Sequence, residues 1–219
     1  MKNELILDPD LSKKSATQIL KEIGLANPDK HFPKYDDSDD VKKYIEAVEN
    51  YASRKSDFVF SNSSDIHAAI VMTTMLSHSK KDFILYDEDL SNDVAGKYYN
   101  FYPALINFIQ KNSSPSLHVV IDKNGHHDTP IYKLLKILNS EYPEKVNIYL
   151  ASDDFKDTIV KRFKSRVSFA VGDSSSFRLE QIKDEKVGRK AICSFKDHTV
   201  ASLLAAVFNL KLNTCKKLF

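Results

Sequence analysis

Glycine is scarce in this 219-residue chain. There are five in all, and none falls in a GxGxxG or Walker A arrangement. A nucleotide cradle built on a glycine-rich phosphate loop is therefore excluded. No GxSxG elbow and no HExxH pair is present either, which removes the commonest serine-hydrolase and zinc-protease signatures. Cysteine is equally sparse. Cys193 and Cys215 are too few for a disulfide framework or a Cys-rich zinc site, and the expectation is two reduced thiols. Five glycines and seven prolines exclude a fibrous or low-complexity chain. No apolar run approaches the roughly 18 to 20 residues of a membrane span. The opening MKNELILDPD carries acids where a signal peptide needs an apolar core, so a soluble cytoplasmic protein without membrane contact is expected.

What is present is an ordinary globular mixture, 42% hydrophobic and 28% charged, long enough for one large domain or a domain with a small appendage. The net charge of +2 hides an asymmetry. Residues 156–219 hold 14 Lys and Arg against 6 Asp and Glu, whereas residues 1–155 hold 18 against 24. A basic C-terminal third can track nucleic-acid phosphates, or meet an acidic surface in the same chain or in a partner protein.

Residues 1–55 read as a helical N-terminal extension. In SATQILKEIGL, Ala16, Ile19, Leu20 and Ile23 recur at helical spacing behind a capping Ser15, and Gly24 is a stop. The Pro- and Asp-rich ANPDKHFPKYDDSDD is a loop whose acidic run caps the next helix, VKKYIEAVENYA. From residue 56 the pattern alternates. DFVFS, DFILYDED, SLHVVID and VNIYLAS read as strands. SSDIHAAIVMTTMLSHSK, YPALINFIQKN, PIYKLLKILNSEY and FKDTIVKRF read as helices. The first of these helices is expected to present Ile66, Ala69, Ile70, Thr73 and Leu76 on one face, with Ser64 or Asp65 as cap. RVSFAVGDSSSFRLEQI reads as a hairpin around GDSSS, KAICSF as a further strand, and HTVASLLAAVFNLKLNTC as a C-terminal helix. The expected class is α/β, a three-layer sandwich around a central mixed β-sheet spanning residues 56–219.

The order of that last third, hairpin, strand, polar turn KDHT and amphipathic helix, resembles the phospholipase D-like superfamily. The resemblance covers roughly residues 57–219 and implies one lobe of that fold. Active members carry His-x-Lys-x4-Asp on the hairpin. The histidine attacks phosphorus, the lysine stabilises developing charge, and a histidine from a paired lobe protonates the leaving group. With Asp173 at the motif's aspartate, the nucleophile position falls at Arg166 and the lysine position at Ser168. Arginine stays protonated and cannot attack phosphorus, and serine carries no positive charge. The family's Gly-Ser-x-Asn element falls near CSFK, where Ser194 survives and Lys196 stands in place of the asparagine. The resemblance therefore implies a degenerate lobe without that activity, and with no cofactor. A single lobe implies a homodimer or a heteromer with another protein, and suggests an accessory role in a bacterial defence-type system.

Arg178 and Glu180 lie two apart and share a strand face. With Arg166 and Lys196 they are candidate ligand-binding residues; a charge pair within the sheet is the structural alternative. HVVIDKNGHHDTP places Asp122, His126, His127 and Asp128 after a strand, near Asp87 and Asp89 of YDED, where open α/β sheets bind ligands. His126 and His127, or Asp173 with Ser194 and Arg178, are the candidate catalytic groups of the alternative reading, a divergent nuclease or phosphodiesterase. Adjacent histidines lack regular metal-ligand spacing, so no metal site is assigned. Asp128-Thr129-Pro130 also suits a helix N-cap.

Overall fold

The computed structural model describes residues 13–25, 35, 37–62, 64–88, 90, 94–111, 113–123, 127–182 and 190–219. His126, Asp89 and Asp36 lie outside them. The expected three-layer α/β sandwich is the fold observed. An eight-stranded mixed sheet runs in the order β1-β7-β6-β5-β2-β3-β4-β8. Its strands are β1 (Phe60–Asn62), β2 (Asp82–Asp87), β3 (Ser116–Ile121), β4 (Val146–Leu150), β5 (Val167–Gly172), β6 (Ser176–Gln181), β7 (Lys190–Ser194) and β8 (Lys216–Lys217). Strands β2, β3 and β4 are parallel, and every other pairing is antiparallel.

One face of the sheet is covered by α1 (Ala16–Glu22), α2 (Asp39–Ser53), α3 (Asp65–His78), α5 (Phe101–Lys111) and α6 (Pro130–Glu141), with the short α4 (Val94–Lys97) beside α3. The other face carries α7 (Asp153–Phe163) and α8 (His198–Leu210). Strand alternation divides the core between them. Phe83, Leu85, Val119, Ala170 and Cys193 face the first layer; Ile84, Tyr86, Val120, Phe169, Val171 and Phe177 face the second. Ile19 of α1, Leu25 just beyond it, and Val48 and Ala52 of α2 sit in the same apolar cluster as α3 and α5.

The expected caps are present on several helices. The Ser15 side chain accepts from Gln18 N, and Gln18 returns the bond in a capping box. The Ser38, Ser64 and Ser152 side chains accept at the starts of α2, α3 and α7. Three local expectations change. DFVFS pairs only from Phe60 and forms a short edge strand, with Phe58 and Val59 exposed. α3 is buried on nearly every side, including Ala68, Val71, Met72, Thr74 and Met75, because it is wedged between the sheet, α2 and α5. The N-cap of α6 is Thr129, without a side-chain capping bond, so Asp128 does not cap that helix; Pro130 does open its first turn.

Candidate functional site

The motif-equivalent residues stand at the two ends of β5. At its start, beside the carboxyl ends of β2 and β3, Arg166 donates from a guanidinium nitrogen to Glu88 Oε1 at 2.8 Å, and Lys123 Nζ reaches the same oxygen at 2.6 Å. These two hydrogen bonds hold the Glu88 carboxyl below its usual range. Two residues on, the Ser168 hydroxyl donates to Asp87 Oδ1 at 3.1 Å. The antiparallel register of β5 on β2 brings these groups together: Phe169 pairs with Tyr86, which sets Asp87 against Ser168 and places Glu88, just past the end of β2, beside the first residues leading into β5. The side chains at the nucleophile and lysine positions are thus both engaged by carboxylates of the neighbouring strand end.

Beside this pair a cleft of about 360 Å³ opens between the strand ends and α7, lined by Tyr86, Asp122, Lys123, Lys156, Ile159 and Arg166 among others. The Tyr86 hydroxyl donates to Asp122 Oδ1 at 2.7 Å. Burial pushes the Asp122 carboxyl above its ordinary value, although the Tyr86 hydrogen bond and the Lys156 and Arg166 charges oppose the shift. Chemically the cleft offers one carboxyl with raised proton affinity among cations. Asp122 does stand next to Asp87, since its backbone N–H donates to Asp87 O at 3.1 Å. His127 is not part of the cleft. It packs edge-to-face on Tyr132, ring centroids 4.7 Å apart, and borders a separate hollow with Asp128, Lys133, Lys136 and Phe219.

At the other end of β5, Asp173 occupies the left-handed region at φ 50° in the hairpin turn. Its carboxylate accepts from the backbone N–H groups of Lys80 and Lys81, both at 2.8 Å, and of Asp82 at 3.0 Å. Asp173 therefore ties the hairpin to the start of β2. Ser194 is 1% exposed, and its hydroxyl accepts from Lys196 N at 3.4 Å. It pairs with Phe177 in the register, so it faces the second layer while Arg178, opposite Cys193, faces the first. The structure does not gather Asp173, Ser194 and Arg178 at one point. Lys196 is exposed in the turn before α8.

Arg178 and Glu180 share a face as expected, and they bond to each other at 3.1 Å with side chains 8% and 5% exposed. Tyr44 and Asn62 belong to the same polar inclusion. Burial raises the Tyr44 hydroxyl pKa, and Asn62 Nδ2 donates to Cys193 Sγ at 3.6 Å. Burial likewise pushes the Cys193 thiol up to about 12. Among the described residues no group of three or more His, Cys, Asp or Glu is placed to hold a metal ion, and no helix is long and apolar enough to cross a membrane. Sequence reasoning missed Glu88, Lys123 and Lys156. Their only signal was position, at a strand end or at the start of the following helix.

No family model matches the sequence, and no curated protein matches it. Solved structures do. One is the archaeal chromatin protein TrmBL2, at 14% identity and TM-score 0.53, covering 81% of this chain; the chain spans 60% of that protein's length. Others are Nuc from Salmonella typhimurium, a phospholipase D family member, at 12% identity and TM-score 0.49, and NucT from Helicobacter pylori, at 10% and 0.46. Each of these two covers 73% of this chain and is itself covered over 97% of its length. At 14% identity what the chain shares with TrmBL2 is a fold alone.

Proposed function

We propose that this protein is a catalytically degenerate phospholipase D-like module that binds nucleic acid as an accessory subunit, as a homodimer or with a second protein. The observation that carries the reading is the fate of the two motif positions. Arg166 and Ser168 stand where a nucleophilic histidine and a lysine would be, and each is spent on a carboxylate of β2 or its following turn. A guanidinium cannot form a phospho-enzyme, and Arg166 is moreover committed, with Lys123, to the Glu88 carboxylate. Nucleic acid is favoured as ligand by the charge excess of residues 156–219. The fold likeness to a chromatin protein whose structure shows a mode of DNA binding makes DNA the first ligand to test. In this reading residues 1–55 are a helical extension anchored on the 56–219 lobe, supported by the core that α1 and α2 share with α3 and α5. The setting is cytoplasmic, and the accessory role is that of a defence-type assembly.

The test is hydrolysis of labelled single- and double-stranded DNA and RNA and a generic phosphodiester, with EDTA, magnesium, manganese or zinc. No turnover by folded protein is expected in any condition. Turnover abolished by His126→Ala/His127→Ala would instead establish the divergent phosphodiesterase.

A further inference from the structure

A second concavity lies at the end of the sheet away from Arg166, roughly 20 Å along β5. It measures about 380 Å³ and is bounded by the C-terminal end of α2, the α3–β2 junction, the hairpin turn and the turn before α8. Three of these elements each contribute a lysine: Lys55, Lys80 and Lys196. His78 and His198 stand on its wall, and Ser175 adds a hydroxyl. Like charges brought together on a concave surface repel unless an anion joins them. Some cations elsewhere are matched, as in Lys156–Asp153, Lys211–Asp154 and Arg178–Glu180, while others such as Lys42 and Lys161 stand on the surface with no ion pair among the described residues. What sets the hollow apart is that three lysines from separate elements share one concavity. Among the described residues no ion pair holds Lys55, Lys80 or Lys196. The one carboxylate in the wall, Asp173, is turned to three backbone N–H groups.

The turn geometry fixes this arrangement. Lys55, Asp173 and Ser174 all adopt φ near 50°, which reverses the chain at two sides of the hollow. Gly172 lets the hairpin close on α3: a Cβ there would clash with Ser79 Oγ and meet Ser176 Oγ at 2.7 Å. We infer that this hollow is a phosphate-binding site, filled by a phosphodiester of a nucleic-acid backbone or by a free phosphate of the same chemistry. The lysines supply charge, and the Ser175 hydroxyl and His198 Nε2 supply hydrogen bonds to the oxyanion, His198 being held through Nδ1 at Ser174 O and His78 being engaged by Glu49 Oε2 at 2.9 Å. The nucleic-acid occupant rests on the proposed function; the phosphate chemistry does not.

The experiment is an amide-resonance titration of the full chain, first with pyrophosphate and then with a labelled DNA oligonucleotide. Parallel titrations use Lys55→Gln/Lys80→Gln/Lys196→Gln, whose exposed positions leave the core untouched. Saturable shifts confined to residues 55, 80, 175 and 196 and their neighbours, lost in the triple variant, uphold the site. Shifts elsewhere, no shifts, or equal shifts in the variant overturn it. Oligonucleotide that displaces pyrophosphate, and binds the variant at least about tenfold more weakly with a salt slope shallower by about 2, identifies the occupant as a nucleic-acid backbone. Pyrophosphate binding without oligonucleotide binding upholds the hollow as a free-phosphate site while refuting the proposed function.

Discussion

Asp173 keeps a motif residue's identity while doing a structural task. Three backbone donors, those of Lys80, Lys81 and Asp82 at the entry to β2, converge on it. Asp173→Ala should cost about 2 kcal/mol in urea denaturation, and Asp173→Asn, which keeps an acceptor without the charge, less. Equal stability of Asp173→Ala and the parent would show that the turn does not depend on those bonds. Asp122 works in the opposite direction. Its carboxyl is raised chiefly by burial, so the folded state holds the proton more tightly than the unfolded chain does. Its contribution to stability is complete below the ordinary carboxyl range and is lost as pH rises through the raised value. Asp122→Asn should therefore raise the melting temperature at pH 7, with the gain fading towards pH 3. A gain of the same size at both pH values, or a loss at pH 7, would contradict this.

At the scale of elements, β6 carries an ion pair into the layer between sheet and helices. Arg178 and Glu180 are nearly inaccessible, so removing one partner strands the other. Arg178→Ala should lose about 3–5 kcal/mol, whereas Arg178→Met/Glu180→Leu should recover most of it, both read by chemical denaturation. A double variant no more stable than Arg178→Ala would mean that the pair holds the helical layer by specific hydrogen bonds. Much of this element order was legible in the sequence. β2 and β3 are short apolar runs buried on both faces, and the GDSSS turn announced its hairpin through small polar residues between two extended stretches. What was not legible depends on neighbours distant in the chain. DFVFS has strand composition, but only its end meets β7. The two lysines of β8 have no hydropathy signal, and pair because the chain end returns to β4. The candidate site shows the same division. That an arginine at position 166 cannot act as a nucleophile could be read from residue type alone. That Glu88 would hold Arg166, and that His127 would turn to Tyr132, follow only from register and packing.

For the whole molecule, one sheet separates two concavities of different character. The cleft at the β2–β3 ends mixes cations with Asp122, Asp153 and Asp157, whereas the hollow beyond the hairpin gathers lysines without matched acids. Of the basic C-terminal third, Lys156 and Arg166 line the cleft and Lys196 the hollow. The core beneath them is continuous enough for Cys193 to report on global unfolding. Its thiol is fully buried and its pKa is pushed up to about 12, so it carries almost no thiolate near neutrality. A thiol reagent should modify the partly exposed Cys215 in the native state and Cys193 only at the rate of unfolding. Modification of both at one rate would show that the sheet opens locally at β7.

The central claim, binding without cleavage, is tested most directly by following the fluorescence anisotropy of end-labelled single- and double-stranded DNA over hours with the protein and magnesium or manganese. The account predicts a rise that saturates with protein, holds steady in time, and collapses on added salt to the value of intact DNA. A signal that rises and then decays below that of intact DNA would mean cleavage, and no rise at any protein concentration would mean that DNA is not the ligand.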